Sequence, residues 1–235
     1  MRPTNTDAEP GPRRVVPAVW VARGLGLLFL AACALFALGW LVGSFIVSDV
    51  GRSVREGFDG PVLEFFAELR SGGLTRFMRA ATVVGGGLAT VVLLVAGGIV
   101  SFLVTRQPRW PIFFAGVIIG SHQIYALLKI AVGRPRPTST ALYEVASKAF
   151  PSGHAAAVAA CFGALGYFAL HRSSRPWAIL LPGLCAIVIL LVGVTRVYLG
   201  VHWPTDVLGG WALGGAWVGA VALILRPREV DDVAV

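Results

Sequence analysis

The chain has little charge for its length. Of 235 residues, 14% are charged, 56% are hydrophobic, and the mean hydropathy is +0.77. Soluble globular domains carry about 25% charged residues, so the composition argues against a soluble fold: lipid must surround much of the surface. Lysine is nearly missing, with Lys129 and Lys148 the only two among 20 basic residues. Carboxylates are also sparse. The three cysteines, Cys33, Cys161 and Cys185, lie in apolar runs and form no CxxC pair, which makes them small apolar core residues without redox information. Gly85-Gly86-Gly87 is followed by no GK[ST], which excludes a phosphate loop of that kind. There is no internal repeat, and no nucleic-acid-binding motif accompanies the formal charge of +8, so nucleic acid is not an expected partner. No cleavable signal is expected either. Residues 1–17 are polar, proline-rich and basic (Arg2, Arg13, Arg14), and the apolar run that follows is too long for a signal core.

Long apolar runs are what the chain has in place of charge. A membrane-crossing helix needs roughly 20 mostly apolar residues. Six runs qualify, at about 21–47, 81–104, 111–132, 154–170, 177–194 and 207–225, the last three near the short limit. The expected fold class is all-α, an integral membrane bundle of six transmembrane helices over 18–226. Residues 1–17 and 227–235 are expected as cytoplasmic tails, the first of them disordered. Arg106, Arg109, Arg172, Arg175, Arg226 and Arg228 fall in one set of loops. By the positive-inside rule that side is cytoplasmic. The other, extracytoplasmic face carries segments 48–80, 133–153 and 195–206. The first mixes balanced charges with Phe65, Phe66, Leu69, Phe77 and Met78, and is expected to be an amphipathic helix lying in the interface.

The polar residues of chemical interest concentrate on that face: Lys129, Arg134 and Arg136, then Ser152 and His154, then Arg196, His202 and Asp206. Charge within a bilayer costs about 2.5–3.5 kcal/mol per residue on insertion scales. Cations gathered at one end of a bundle repel each other unless an anion sits among them. Phosphate suits them, since arginine offers a planar fork to its oxygens and lysine a point charge. Phe150-Pro151-Ser152-Gly153-His154 opens the fourth helix, where free backbone N–H groups and helix polarity favour an anion. Gly153 allows close approach, and the Ser152 hydroxyl can donate. His202 and Asp206 are four residues apart at the start of the sixth helix and so share a face. The aspartate can fix the imidazole tautomer and leave the other nitrogen free to attack. His154 then remains to protonate the leaving oxygen.

Taken singly, each group has a plainer reading. Lys129 and Arg136 could be snorkelling residues, His154 a helix cap, and His202 with Asp206 a structural pair. Their joint occurrence on one side of the membrane favours the site. Arg134 is either a ligand for a second phosphate or an exposed side chain. His122 is expected to make a structural hydrogen bond. The loop with Tyr143, Glu144, Lys148 and Phe150 is by default solvated, with a gate for lipid entry as the alternative. Only Glu144 and Asp206 are acidic residues near the motifs. No metal or other cofactor is therefore expected, and the cations would neutralise charge in a metal's place.

Lys129-x6-Arg136-Pro137, Pro151-Ser152-Gly153-His154 and Arg196-x5-His202-x3-Asp206 resemble the three signature motifs of the type 2 phosphatidic acid phosphatase superfamily. The resemblance spans roughly 59–225 and departs from the usual pattern at Thr195, where serine is common. It implies a membrane lipid phosphatase in which Lys129, Arg136 and Arg196 bind phosphate oxygens, helped by Ser152 and Gly153. It also implies that His202 forms a phosphohistidine, Asp206 orients it, and His154 serves as acid and then activates water. The implied substrates are undecaprenyl diphosphate, phosphatidylglycerol phosphate or phosphatidic acid, in a bacterial inner membrane. The rivals are a lipid phosphotransferase using the same histidine, a haloperoxidase, and a non-enzymatic anion-binding or transport protein. The lipid and the oligomeric state are not legible.

Overall fold

The computed structural model describes residues 18–225. The expected tails, and with them Arg226 and Arg228, lie outside the described residues. In chain order the helices are α1 (Ala18–Val47), the single turn α2 (Arg52–Val54), a π-helical turn (Arg55–Asp59), α3 (Gly60–Glu68), α4 (Gly72–Thr82), α5 (Gly87–Thr105), α6 (Arg109–Val132), α7 (Gly153–Arg172), α8 (Arg175–Tyr198) and α9 (Pro204–Ile224). Among the described residues there is no strand, and six helices (α1, α5, α6, α7, α8 and α9) are long and apolar enough to cross a membrane. The chain is a multi-pass membrane protein.

Three boundaries differ from the hydropathy reading. The second span begins at Gly87, not near 81, because residues 83–85 form a 3₁₀ turn and Gly86 leaves the helix with ψ 147°. The fifth span is 24 residues, not a short one, since α8 continues through Arg196 to Tyr198. Hydropathy falls at a charged residue, but backbone hydrogen bonding does not. The expected single amphipathic helix of 48–80 is broken into several pieces, with Ser71 capping α4 by accepting from the Leu74 N–H at 3.4 Å.

Helix α7 lies at the centre, packed against α8 and α9, while α1 leans on α6 and α9 from outside. Small residues set the α7–α9 distance. A Cβ on Gly210 would sit 2.6 Å from the Ser152 carbonyl oxygen, and one on Gly214 2.4 Å from that of Ala156. This is the close approach that glycine permits between membrane helices. The main apolar core, with Trp110, Phe113, Phe114, Val117 and Trp217, fills the bundle interior. Helices α3 and α4 fold over the end where α8 finishes. The Arg70 guanidinium donates to the Tyr198 carbonyl at 2.8 and 3.0 Å, and the Tyr198 hydroxyl lies 2.9 Å from that of Thr75. That end of the bundle carries all three motifs.

Candidate active site

Two glycine turns bring the motifs together. Gly133 ends α6 in the left-handed region (φ +66°), its N–H donating to the Lys129 carbonyl. The chain then crosses the end of the bundle toward Arg136. Gly200 (φ +72°) reverses the chain after α8, and a Cβ there would lie 2.1 Å from the Thr140 carbonyl oxygen. The reversal buries Val201 and His202 beneath the segment that follows Arg136.

Lys129 and Arg136 converge on one acceptor. The Lys148 carbonyl accepts from Lys129 Nζ at 2.7 Å and from Arg136 Nη2 at 3.3 Å. Arg136 also donates to the Ser147 carbonyl at 2.6 Å, to the Val201 carbonyl, and from Nη1 to His202 Nε2 at 2.9 Å. Guanidinium can only donate. His202 Nε2 is therefore the lone-pair nitrogen, and the ring proton belongs on Nδ1. Nδ1 faces Asp206 Oδ2 at 3.4 Å. The same Oδ2 accepts from the Trp203 N–H at 2.9 Å, so Asp206 also caps the helix it begins. His202 is 2% exposed, and its pKa lies well below 6.5. Burial is the main cause, followed by the charges of Arg136, Lys129, Arg196 and His154. The ring is thus neutral at pH 7.

Arg196 is buried and reaches the same cluster from the end of α8. Its Nη1 donates to Thr82 Oγ1 at 2.8 Å and to the Tyr143 hydroxyl at 3.0 Å, while its buried Nε has no hydrogen-bond partner. The Ser152 hydroxyl is likewise buried and unpartnered. The Ser152 N–H donates to the Asp206 carbonyl at 2.9 Å, so it is not among the α7 donors open to an anion. Those are the first-turn N–H groups from Gly153 onward. Gly153 packs beside Lys129, where an added Cβ would be 3.7 Å from Cε. His154 faces Gly85, whose added Cβ would lie 3.4 Å from Cδ2 of the ring. All eight residues singled out in the motifs therefore lie at one end of the bundle.

Several readings need correction. Arg134 is neither exposed nor turned toward a phosphate. It is 2% exposed and pairs with Asp206 Oδ1 at 2.5 Å and Asp59 Oδ2 at 2.6 Å. Asp59 is a third acidic residue beside the motifs, missed because it lies in the 48–80 segment. It also accepts from the Thr205 N–H at 2.9 Å and the Thr205 hydroxyl at 2.7 Å. Thr195 turns its hydroxyl to the Val192 carbonyl of its own helix, away from the cations. Tyr143, expected only as part of a solvated or gating loop, and Thr82, which belongs to no motif, hold Arg196. An arginine near the end of an apolar helix signals that some such acceptor must exist, though not which. His122 Nδ1 shares a hydrogen bond of 2.7 Å with the Tyr125 hydroxyl, as expected.

The PAP2 superfamily profile matches residues 110–229, which include all three motifs and just over half of the chain. The chain belongs to the PAP2 superfamily. It is a membrane phosphatase acting on lipid phosphates, similar to the following members. It is 30% identical over 152 residues to phosphatidylglycerophosphatase B of Bacillus subtilis, covering 62% of this chain and 72% of that one. To an undecaprenyl-diphosphatase of Sulfolobus acidocaldarius it is 31% identical over 115 residues, 47% of this chain and half of the relative's length. The crystal structure of a transmembrane PAP2-type phosphatidylglycerolphosphate phosphatase from Bacillus subtilis superposes with a TM-score of 0.69 at 26% identity, covering 81% of this chain and 93% of that one.

Proposed function

We propose that the protein is a metal-independent phosphatase of the cell membrane. It hydrolyses a lipid phosphate or polyprenyl diphosphate at the extracytoplasmic face, through a phosphohistidine on His202. One observation carries this reading. His202 is held between Asp206 on Nδ1 and Arg136 on Nε2, so its lone pair faces the cations.

Lys129, Arg136 and Arg196, the first turn of α7 and the Ser152 hydroxyl take the phosphate oxygens. The unpartnered donors Arg196 Nε and Ser152 Oγ support this role, because buried polar groups need partners. Arg136 Nη1 passes from Nε2 to an incoming oxygen, and Nε2 then bonds phosphorus as the phosphorus–oxygen bond to the lipid breaks. His154 gives its proton to that leaving oxygen. In the second step His154 takes a proton from water, the water oxygen bonds phosphorus, and the phosphorus–nitrogen bond breaks to release phosphate. Fixed cations suit both steps, because they stabilise charge on the transferring group without reorganising. The two buried carboxylates near the motifs, Asp59 and Asp206, are already paired with Arg134, which leaves no free acidic pair near the motifs, among the described residues, to hold a divalent ion.

The substrate is an amphiphile. An apolar cavity of about 180 Å³, lined by Leu35, Val42, Leu128, Phe150, Pro151 and Leu213, lies against the segment that carries Ser152. The relatives act on a phosphatidylglycerophosphate and an undecaprenyl diphosphate, and this chain is assigned the chemistry the two share. The arginines of the short loops at the opposite end, Arg106 and Arg175, support a site on the side away from the cytoplasm.

Phosphate release by purified protein, over a panel of lipid phosphates and diphosphates with and without chelator, tests the reading. Turnover is expected for at least one lipid and to be unchanged by chelator. Chelator-sensitive turnover would contradict the metal-independent mechanism. Label passing to a second lipid in place of free phosphate would make the protein a phosphotransferase.

A further inference from the structure

We infer that Asp59 and Arg134 are positioning residues for His202, acting through Asp206. The inference rests on the reading of His202 as the nucleophile.

The three side chains form a buried line. Asp59 and Asp206 are 0% exposed and Arg134 is 2% exposed. Arg134 Nη1 donates to Asp206 Oδ1 at 2.5 Å, while Asp206 Oδ2 takes the Trp203 N–H at 2.9 Å and faces His202 Nδ1 at 3.4 Å. Both carboxylate oxygens are engaged, on opposite sides, so the group cannot turn away from the ring. At its other end Arg134 Nη2 donates to Asp59 Oδ2 at 2.6 Å, and Arg134 Nη1 also reaches the Thr205 hydroxyl at 2.7 Å. The guanidinium fork spans two carboxylates at once, which a lysine point charge cannot do.

Asp59 does more than balance Arg134. Its Oδ1 accepts the Thr205 N–H, one of the first-turn donors of α9 that no carbonyl of that helix can satisfy. A residue 146 positions earlier thus caps the turn that carries Asp206. The 48–68 segment is thereby locked to the nucleophile's support.

The charges add to the geometry. Two carboxylates and one guanidinium sum to −1 beside His202. When Nε2 bonds phosphorus and Nδ1 keeps its proton, the ring becomes cationic. Three cations already crowd its other edge, so the surplus negative charge of the line stabilises the ring in the transition state more than in the ground state. Such a contribution appears in kcat. Phosphate binding rests on Lys129, Arg136, Arg196, Ser152 and the first turn of α7, and the side chains of Asp59 and Arg134 are hydrogen-bonded to Thr205, Asp206 and each other instead.

The test uses the full chain in detergent, with Asp59→Asn, Arg134→Lys and His202→Ala assayed beside wild type on one turned-over lipid phosphate. Asp59→Asn keeps the shape and removes the charge. It is expected to lower kcat about 10²-fold, the scale of a small misplacement of a reacting group. KM and competitive inhibition by inorganic phosphate should be unchanged. Arg134→Lys should lower kcat in the same way. If it fails to fold, Asp59→Asn decides alone. An Asp59→Asn protein that is only less stable, with wild-type turnover per folded molecule after gel filtration, overturns the inference. So does a kcat loss matched by weaker phosphate inhibition. Turnover retained by His202→Ala sinks the nucleophile reading itself, a result distinct from either.

Discussion

The two depths of the bundle treat buried hydroxyls and buried charges in different ways. In the interior, Thr90, Ser101 and Ser121 return their hydroxyls to carbonyls of their own helix, three or four residues back. They ask nothing of neighbouring helices, and packing there is aromatic and aliphatic. At the other end Asp59, Arg134, Arg196, His202 and Asp206 are all buried, and their partners lie on distant segments. An apolar interior holds helices together without specifying any chemistry. Buried charge is costly unless its partners are supplied, so concentrating it at one end marks where function has been placed.

That contrast can be broken from either side. The largest stability effect is expected at the polar end. Arg134→Gln leaves Asp59 and Asp206 without their cation and should cost about 3–5 kcal/mol, the range for an orphaned buried charge. Chemical unfolding in detergent would read this, and a loss within experimental error would show that the pair is dispensable. In the interior, Gly120→Ala places a Cβ 1.9 Å from the Trp217 ring. Overpacking of this kind should cost about 1–3 kcal/mol while turnover per folded molecule stays at wild type. A specific loss of kcat would show that the two depths are coupled. The smallest effect concerns pH. Since His202 in the folded protein titrates well below 6.5, the unfolded chain takes up its proton first as pH falls. This contribution to stability is complete above pH 6.5 and is lost progressively as pH falls from 6.5 toward the folded-state pKa. Melting temperatures measured across that window should fall on acidification, and should fall less in His202→Ala.

The same contrast explains what the amino-acid order made legible. The six spans are visible because lipid imposes one simple requirement on every residue of a run. Lys129, Arg136, Ser152, His154, Arg196, His202 and Asp206 are visible because their spacing within each motif is local and their side chains have few bland uses in an apolar helix. Asp59 was not visible. It sits among balanced charges, and its partners Arg134 and Thr205 are 75 and 146 residues away. The hold of Thr82 and Tyr143 on Arg196 is hidden for the same reason, since they stand 114 and 53 residues from it. Arg134 reads as exposed or as a phosphate ligand, because its distance in sequence from Arg136 says nothing of which way each side chain turns. Two arginines separated by one proline turn opposite ways, one to His202 Nε2 and the other to the carboxylates of Asp59 and Asp206.

Trapping the phosphoenzyme tests the central claim most directly. Wild-type protein quenched during turnover of a phosphorus-labelled lipid should carry label with the acid-labile, base-stable behaviour of a phosphoramidate. His202→Ala, inserted and folded like wild type, should carry none and should release phosphate at least about 10⁴-fold more slowly. Label on the His202→Ala protein, or its absence from a wild type that turns over, would contradict the assignment of His202 as the attacking group.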